Sequence, residues 1–122
     1  MYPSRPAHSS QGFKMTLSLL ITTMGSREEA ESLAREMLGQ RLAACVQLEP
    51  ITSLYRWEGS VEFEEEVRMT FKTTTARVPA LRRAVLEEHP YDEPEIIVLE
   101  AAGASDGYAA WVEKEVKGTP AH

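Results

Sequence analysis

Val61-Glu62-Phe63-Glu64-Glu65-Glu66-Val67-Arg68-Met69-Thr70-Phe71-Lys72 is the stretch that decides the fold. Val61, Phe63, Val67, Met69 and Phe71 fall on one side of a two-residue repeat, with Glu65 the single intruder. Glu62, Glu64, Glu66, Arg68, Thr70 and Lys72 fall on the other. That period predicts a β-strand with one buried face. Residues 44–55, just upstream, are rich in apolar and β-branched side chains. Glu58-Gly59-Ser60 between the two segments supplies a turn, with Gly able to take a positive φ. The stretch therefore predicts one long β-hairpin. Arms of about twelve residues at about 3.3 Å each reach roughly 40 Å. A domain of about 100 residues has a radius of gyration near ~13 Å. The hairpin must overhang its own domain. Its far end carries Leu54, Tyr55, Trp57, Val61 and Phe63, which need cover, and a neighbouring subunit is the simplest cover.

Working outward from the hairpin, residues 15–23 are apolar without clean alternation, as expected of a central strand covered on both sides. Ser26-Arg27-Glu28-Glu29 reads as a capping box. Ala30, Leu33, Ala34, Met37 and Leu38 then recur at helical spacing, so an amphipathic helix runs to a close near Gly39. Downstream of the hairpin, Thr75 is placed to cap a second helix with Val78, Leu81 and Val85 inward and Pro79 in its first turn. That helix ends before His89-Pro90, because a residue preceding proline is pushed out of the α region. Residues 89–94 hold two prolines and form a stiff connector. Residues 95–101 predict a fourth strand with an apolar centre. Ser105 or Asp106 caps a last helix with Tyr108, Trp111, Val112 and Val116 on one face.

The order β-α-β-β-α-β plus a final helix predicts an α+β, ferredoxin-like fold. Two helices cover one sheet face and leave the other bare, which independently predicts an oligomer. A single domain is expected over residues 15–118. Residues 1–14, with Pro3, Pro6, Ser9, Ser10 and Gly12, are expected to form a flexible tail.

Composition narrows the function classes. A formal charge of −6, with 13 scattered basic residues, disfavours nucleic acid as a partner. The single cysteine, Cys45, excludes an intrachain disulfide and a four-cysteine zinc site, and reads as cytoplasmic. No apolar run approaches the ~20 residues that span a bilayer, so no membrane partner is expected.

Chemistry-bearing residues are few. His8 and His122 lie at the ends of the chain, so Cys45 and His89 are the only thiol–imidazole pair inside the fold. Together they suit a soft or borderline metal such as copper, if folding or assembly brings them together. Each also has a plainer reading, Cys45 as a small core hydrophobe and His89 as a residue favoured at a helix C-terminus. No hydrolase signature surrounds them, and no enzymatic activity is expected. Lys72 at a strand end and Tyr91 in the stiff connector suit an anion pocket, or a plain surface lysine. Tyr55, Trp57, Tyr108 and Trp111 suit either a ligand cleft or subunit contacts.

Arg41-Leu42-Ala43-Ala44-Cys45, Ile51-Thr52-Ser53-Leu54-Tyr55-Arg56-Trp57-Glu58-Gly59, Phe71-Lys72-Thr73, His89-Pro90-Tyr91 with Pro94-Glu95-Ile96, and Tyr108-Ala109-Ala110-Trp111 together resemble the CutA divalent-cation tolerance family. The resemblance runs from about Leu17 to Val116. It implies a ferredoxin-like homotrimer similar to the PII-type signalling proteins, linked to tolerance of divalent metals and to copper binding. It implies Cys45 and His89 as copper ligands. Some members carry another cysteine where this chain has Thr22, so a carboxylate such as Glu66 is the implied third ligand. Trp57, Lys72 and Tyr91 match positions that line a cleft between subunits. Tyr55, Trp57 and Phe63 are the expected trimer contacts. The alternative implied reading is a PII-like sensor of a small anionic ligand held in that cleft.

Overall fold

The computed structural model describes residues 16–117; the expected tail at residues 1–14 lies outside them. The chain builds four strands and three α-helices: β1 (Leu17–Met24), α1 (Arg27–Gly39), β2 (Cys45–Trp57), β3 (Ser60–Thr74), α2 (Val78–Glu88), β4 (Ile96–Glu100) and α3 (Asp106–Lys117). The sheet order is β2-β3-β1-β4 and every neighbouring pair is antiparallel. This is the expected α+β, ferredoxin-like arrangement with an added C-terminal helix.

The hairpin is longer than its sequence pattern suggests. β2 and β3 pair from Trp57 opposite Ser60 back to Cys45 opposite Lys72, and β3 alone spans 15 residues, roughly 50 Å. The turn is tighter than expected, with only Glu58 and Gly59 between paired residues. Both have positive φ, +49° and +86°, the conformation whose twist matches the flanking strands.

Along β3, Val67, Met69 and Phe71 go under the helices as the alternation requires. Met69 and Phe71 are fully buried with Leu20, Met24, Leu33, Met37, Leu81 and Val85. Val61 and Phe63 share that side but lie beyond the reach of α1 and α2, and Phe63 is 62% exposed. Glu65 faces the same side and is exposed, so the intruder costs the core nothing.

The helix ends depart from the sequence reading in two places. Ser26 caps α1 as expected, its Oγ accepting from the Glu29 amide at 3.1 Å. At the other end the left-handed residue is Arg41 (φ +58°), not Gly39. The Arg41 amide donates to Leu38 O and the Leu42 amide to Met37 O, both at 3.0 Å, which is a Schellman closure with Leu42 over Met37. The Arg41 guanidinium reaches outside the helix and donates to Glu115 O at 2.9 Å. Thr75 does not cap α2. Residues 75–77 form a short 3-10 turn, and the Thr75 hydroxyl is engaged with Ser18 and Thr16 O.

The second sheet face is covered in part. α3 packs across the start of β1, where Leu17, Ala109 and Val112 form a second small core with Ala44, Tyr108 and Trp111. Beyond α3 this face presents Leu19, Ile21, Ile97 and Leu99; Ile97 and Leu99 are each 47% exposed. The β1–β4 register sets these residues side by side, Leu19 with Leu99 and Ile21 with Ile97.

Candidate functional site

Antiparallel register assigns every candidate residue to a place. In the hairpin the numbers of paired residues sum to 117, so Cys45 faces Lys72 directly. Lys72 in turn faces Leu19 of β1. Cys45, Lys72 and Leu19 therefore form one row across the α3-bearing face of the sheet. The Lys72 ammonium lies 5.6 Å from the centroid of the Tyr108 ring, a cation–π contact. The Tyr108 ring is tilted against Trp111 at 5.7 Å.

His89 sits elsewhere. It follows the last turn of α2, is buried, and its Nε2 lies 2.8 Å from Thr23 O. The Tyr91 amide donates to its Nδ1 at 3.2 Å. Together these fix the tautomer: the Nε2–H donates to Thr23 O and the Nδ1 lone pair is the acceptor. Thr23 is four residues along β1 from Leu19, roughly 13 Å. Cys45 is a further two strands across, roughly 10 Å. Within one protomer Cys45 and His89 share no metal, and among the described residues no three His, Cys, Asp or Glu side chains group as a metal site.

Glu66 belongs to the His89 end. It lies one step from Val67, which pairs with Met24, and its Oε1 accepts from Ser53 Oγ at 2.7 Å. Tyr91 bridges the two groups. Its ring meets His89 edge-on at 4.8 Å, and its phenol lies in the field of Glu66. Burial first, then the Glu66 and Glu64 carboxylates, raise the Tyr91 hydroxyl above its ordinary pKa. Tyr55 is raised as well, by loss of hydration first and then by Glu64. Glu66 also lines a cavity of about 420 Å³ between Gly25–Arg27 at the head of α1 and Pro50–Thr52 in β2.

Trp57 stands at the hairpin tip, 59% exposed and distant from both groups. Lys72, Tyr91 and Trp57 thus occupy the base, the middle and the tip of the overhanging sheet, and one protomer does not bring them into a single cleft. Thr22 is fully buried on the helix side, where its hydroxyl donates to Glu95 O at 2.6 Å. It is directed away from the Cys45 row. Sequence reasoning did not find Ser53 beside Glu66, the Thr23 carbonyl under His89, or Tyr108 under Lys72. Counting back from a two-residue turn at Glu58-Gly59 would have placed Lys72 opposite Cys45. The same count sets Ser53, 13 residues before Glu66, one diagonal step from it across the hairpin; the other two pairs are separated by tens of residues and carry no local signal.

The chain matches the CutA1 divalent ion tolerance protein family over residues 18–115. It is 40% identical over 95 residues to the divalent-cation tolerance protein CutA of Yersinia pestis, covering 77% of this chain and 80% of that protein. Among solved structures it is similar to CutA of Synechococcus elongatus, with a TM-score of 0.81, 39% identity, and coverage of 84% of this chain and 91% of that one. It is similar too to the protein of Archaeoglobus fulgidus described as a periplasmic divalent cation tolerance protein CutA. There the TM-score is 0.80 at 32% identity, covering 83% and 99% of the two chains.

Proposed function

Because this chain belongs to the CutA1 divalent ion tolerance family, we propose that it serves divalent-cation tolerance as a homotrimer that binds copper at sites shared between subunits. The observation that carries the reading is the division of the donor set. Cys45 stands at one end of the sheet and His89 and Glu66 at the other, while the apolar face between them and the hairpin beyond them are uncovered. Packing copies on that face lets the Cys45 end of one protomer meet the His89 end of the next. Tyr55, Trp57 and Phe63 on the overhang are the contacts that hold the hairpin to a neighbour.

Copper is cargo in this reading. The Cys45 thiolate selects the reduced ion. His89 ligates through Nδ1, giving up the 3.2 Å contact from the Tyr91 amide, while its Nε2–H stays on Thr23 O and orients the ring. Glu66, held by Ser53, supplies a hard third donor. No hydrolase signature surrounds Cys45 or His89 in the sequence, and the family is named for divalent ion tolerance; both support a binding protein rather than an enzyme. No helix among the described residues is long and apolar enough to cross a membrane, and the single free thiol, Cys45, supports a cytoplasmic location.

The test is a copper(I) titration of reduced protein as wild type, Cys45→Ser, His89→Ala, and an assembly reconstituted from an equal mixture of the two variants. Each variant alone should lose at least about tenfold in affinity. The mixed assembly should recover tight sites at roughly a quarter of its interfaces, where random pairing sets an intact Cys45 against an intact His89. Unchanged affinity in both variants rejects the site. Loss in both with no recovery on mixing rejects sharing between subunits.

One observation favours a second activity for the same cleft. Lys72 is in no ion pair among the described residues and is held over Tyr108. This supports a small anionic ligand bound beside Lys72, with Trp57 and Tyr91 brought to the cleft from neighbouring copies.

A further inference from the structure

Lys72 is an odd residue for its setting. The same-face neighbours that register gives it are Cys45 and Leu19 beside it, Thr70 and Thr74 along its own strand, and Leu17, Ile21 and Gln47 on the diagonals. None is a carboxylate. Glu49, Glu113 and Glu115 are paired elsewhere, to Arg68, Lys117 and Arg41. In a chain of net charge −6, a half-buried lysine is set among apolar and aromatic groups and makes no ion pair among the described residues. A lysine stem is long enough to carry its head out to water, yet here the head rests over the Tyr108 ring. The ring attracts the cation without neutralising it.

The chemistry of this spot limits what it accepts. It offers one compact positive charge, a single point of attachment for an anion. Around it stand the half-buried Leu19, Ala44, Cys45, Tyr108 and Trp111. They suit an apolar body of one ring or one branched chain. A polyphosphate would bring several negative charges to a single cation on an acidic protein. We propose that the Lys72–Tyr108 site binds a small apolar monocarboxylate, its carboxylate on the Lys72 ammonium and its hydrocarbon part against Tyr108 and the Cys45–Leu19 row. The proposal rests on the anion-cleft reading above and narrows its small anionic ligand to a singly charged one with an apolar body.

The experiment is calorimetric titration of the reduced, full-length assembly with phenylacetate and isovalerate, with phenethylamine, inorganic phosphate and ATP as comparators. The expected result is saturable binding of one carboxylate per protomer and none of the amine. Lys72→Met keeps the stem and removes the charge. It should lose at least about tenfold in affinity at unchanged far-ultraviolet circular dichroism and assembly mass. Lys72→Arg keeps the positive charge on a planar fork that also binds carboxylates, so it should retain binding where Lys72→Met loses it, and Tyr108→Phe, which keeps the ring, should stay close to wild type. If ATP or phosphate binds in a Lys72-dependent way and the carboxylates do not, the ligand class is wrong and the cleft reading stands. If no anion binds, or Lys72→Met binds phenylacetate as well as wild type does, both fail.

Discussion

Truncating Trp57 should dismantle the assembly and leave the protomer intact. In the isolated protomer this side chain is 59% exposed at the end of β2, so Trp57→Ala removes nothing from the core around Phe71 and Leu20. A tryptophan offers up to ~250 Å² of surface, so roughly 150 Å² is free for a partner to cover. At ~25 cal/mol per Å² that is worth up to about 4 kcal/mol per protomer. Alanine recovers part of that area and coverage at a hairpin tip is incomplete, so about 2 kcal/mol is a lower figure. Three copies change together in a trimer. The total of about 6 kcal/mol or more raises the midpoint concentration of trimerisation at least about a hundredfold. Sedimentation velocity across a dilution series reads this directly, with circular dichroism as the control for folding. A variant that sediments with wild type at every concentration refutes the argument, because the tip would then lie outside the interface.

Other consequences are smaller and independent. Glu58 holds φ +49° in the hairpin turn, a conformation that costs a non-glycine residue about 1 kcal/mol or more. Glu58→Asn should therefore raise the denaturation midpoint by the equivalent of about 1 kcal/mol, and a lowered midpoint would mean that the Glu58 side chain makes a contact of its own in the assembly. The Tyr91 phenol, raised above 10.0 by burial and then by Glu66 and Glu64, keeps its proton to higher pH when folded than when unfolded. Its contribution is complete below pH 10 and is lost as pH climbs through the folded value. Tyr91→Phe should thus flatten the alkaline fall in stability, and an unchanged slope in denaturant titrations above pH 10 would contradict it. The melting temperature of wild type should rise with protein concentration, since association stabilises by mass action; a concentration-independent melt at or below about 65 °C would count against an obligate assembly.

Much of the fold was legible because its signals are local. The alternation from Val61 to Lys72 gives the strand, Ser26 with Glu29 gives the start of α1, and His89-Pro90 gives the end of α2. What escaped depends on distant partners. Arg41, not Gly39, adopts the left-handed conformation, and its guanidinium donates to Glu115 O on α3, far away in sequence. Thr75 leaves its capping role because Thr16 and Ser18 stand beside it. The candidate site divides the same way. Residue types picked out Cys45, His89, Glu66, Lys72, Tyr91 and Trp57; the hairpin register sets Cys45 and Lys72 in one row, but it takes the pairing of β1 with β3 to show that His89, Glu66 and Tyr91 gather at the far end. The acidic face of β3 reads as ordinary solvated strand until Tyr55 and Tyr91 are placed against it.

The claim on which the rest depends is that the bare sheet face and the overhanging hairpin are closed by two further copies of the chain. Sedimentation equilibrium of the metal-free protein at micromolar concentration measures this without reference to any ligand. Three protomers of 13.6 kDa give about 41 kDa, and that mass is the predicted result. A single species of 13.6 kDa would contradict the account, since Cys45 and His89 would then have no route to a common metal.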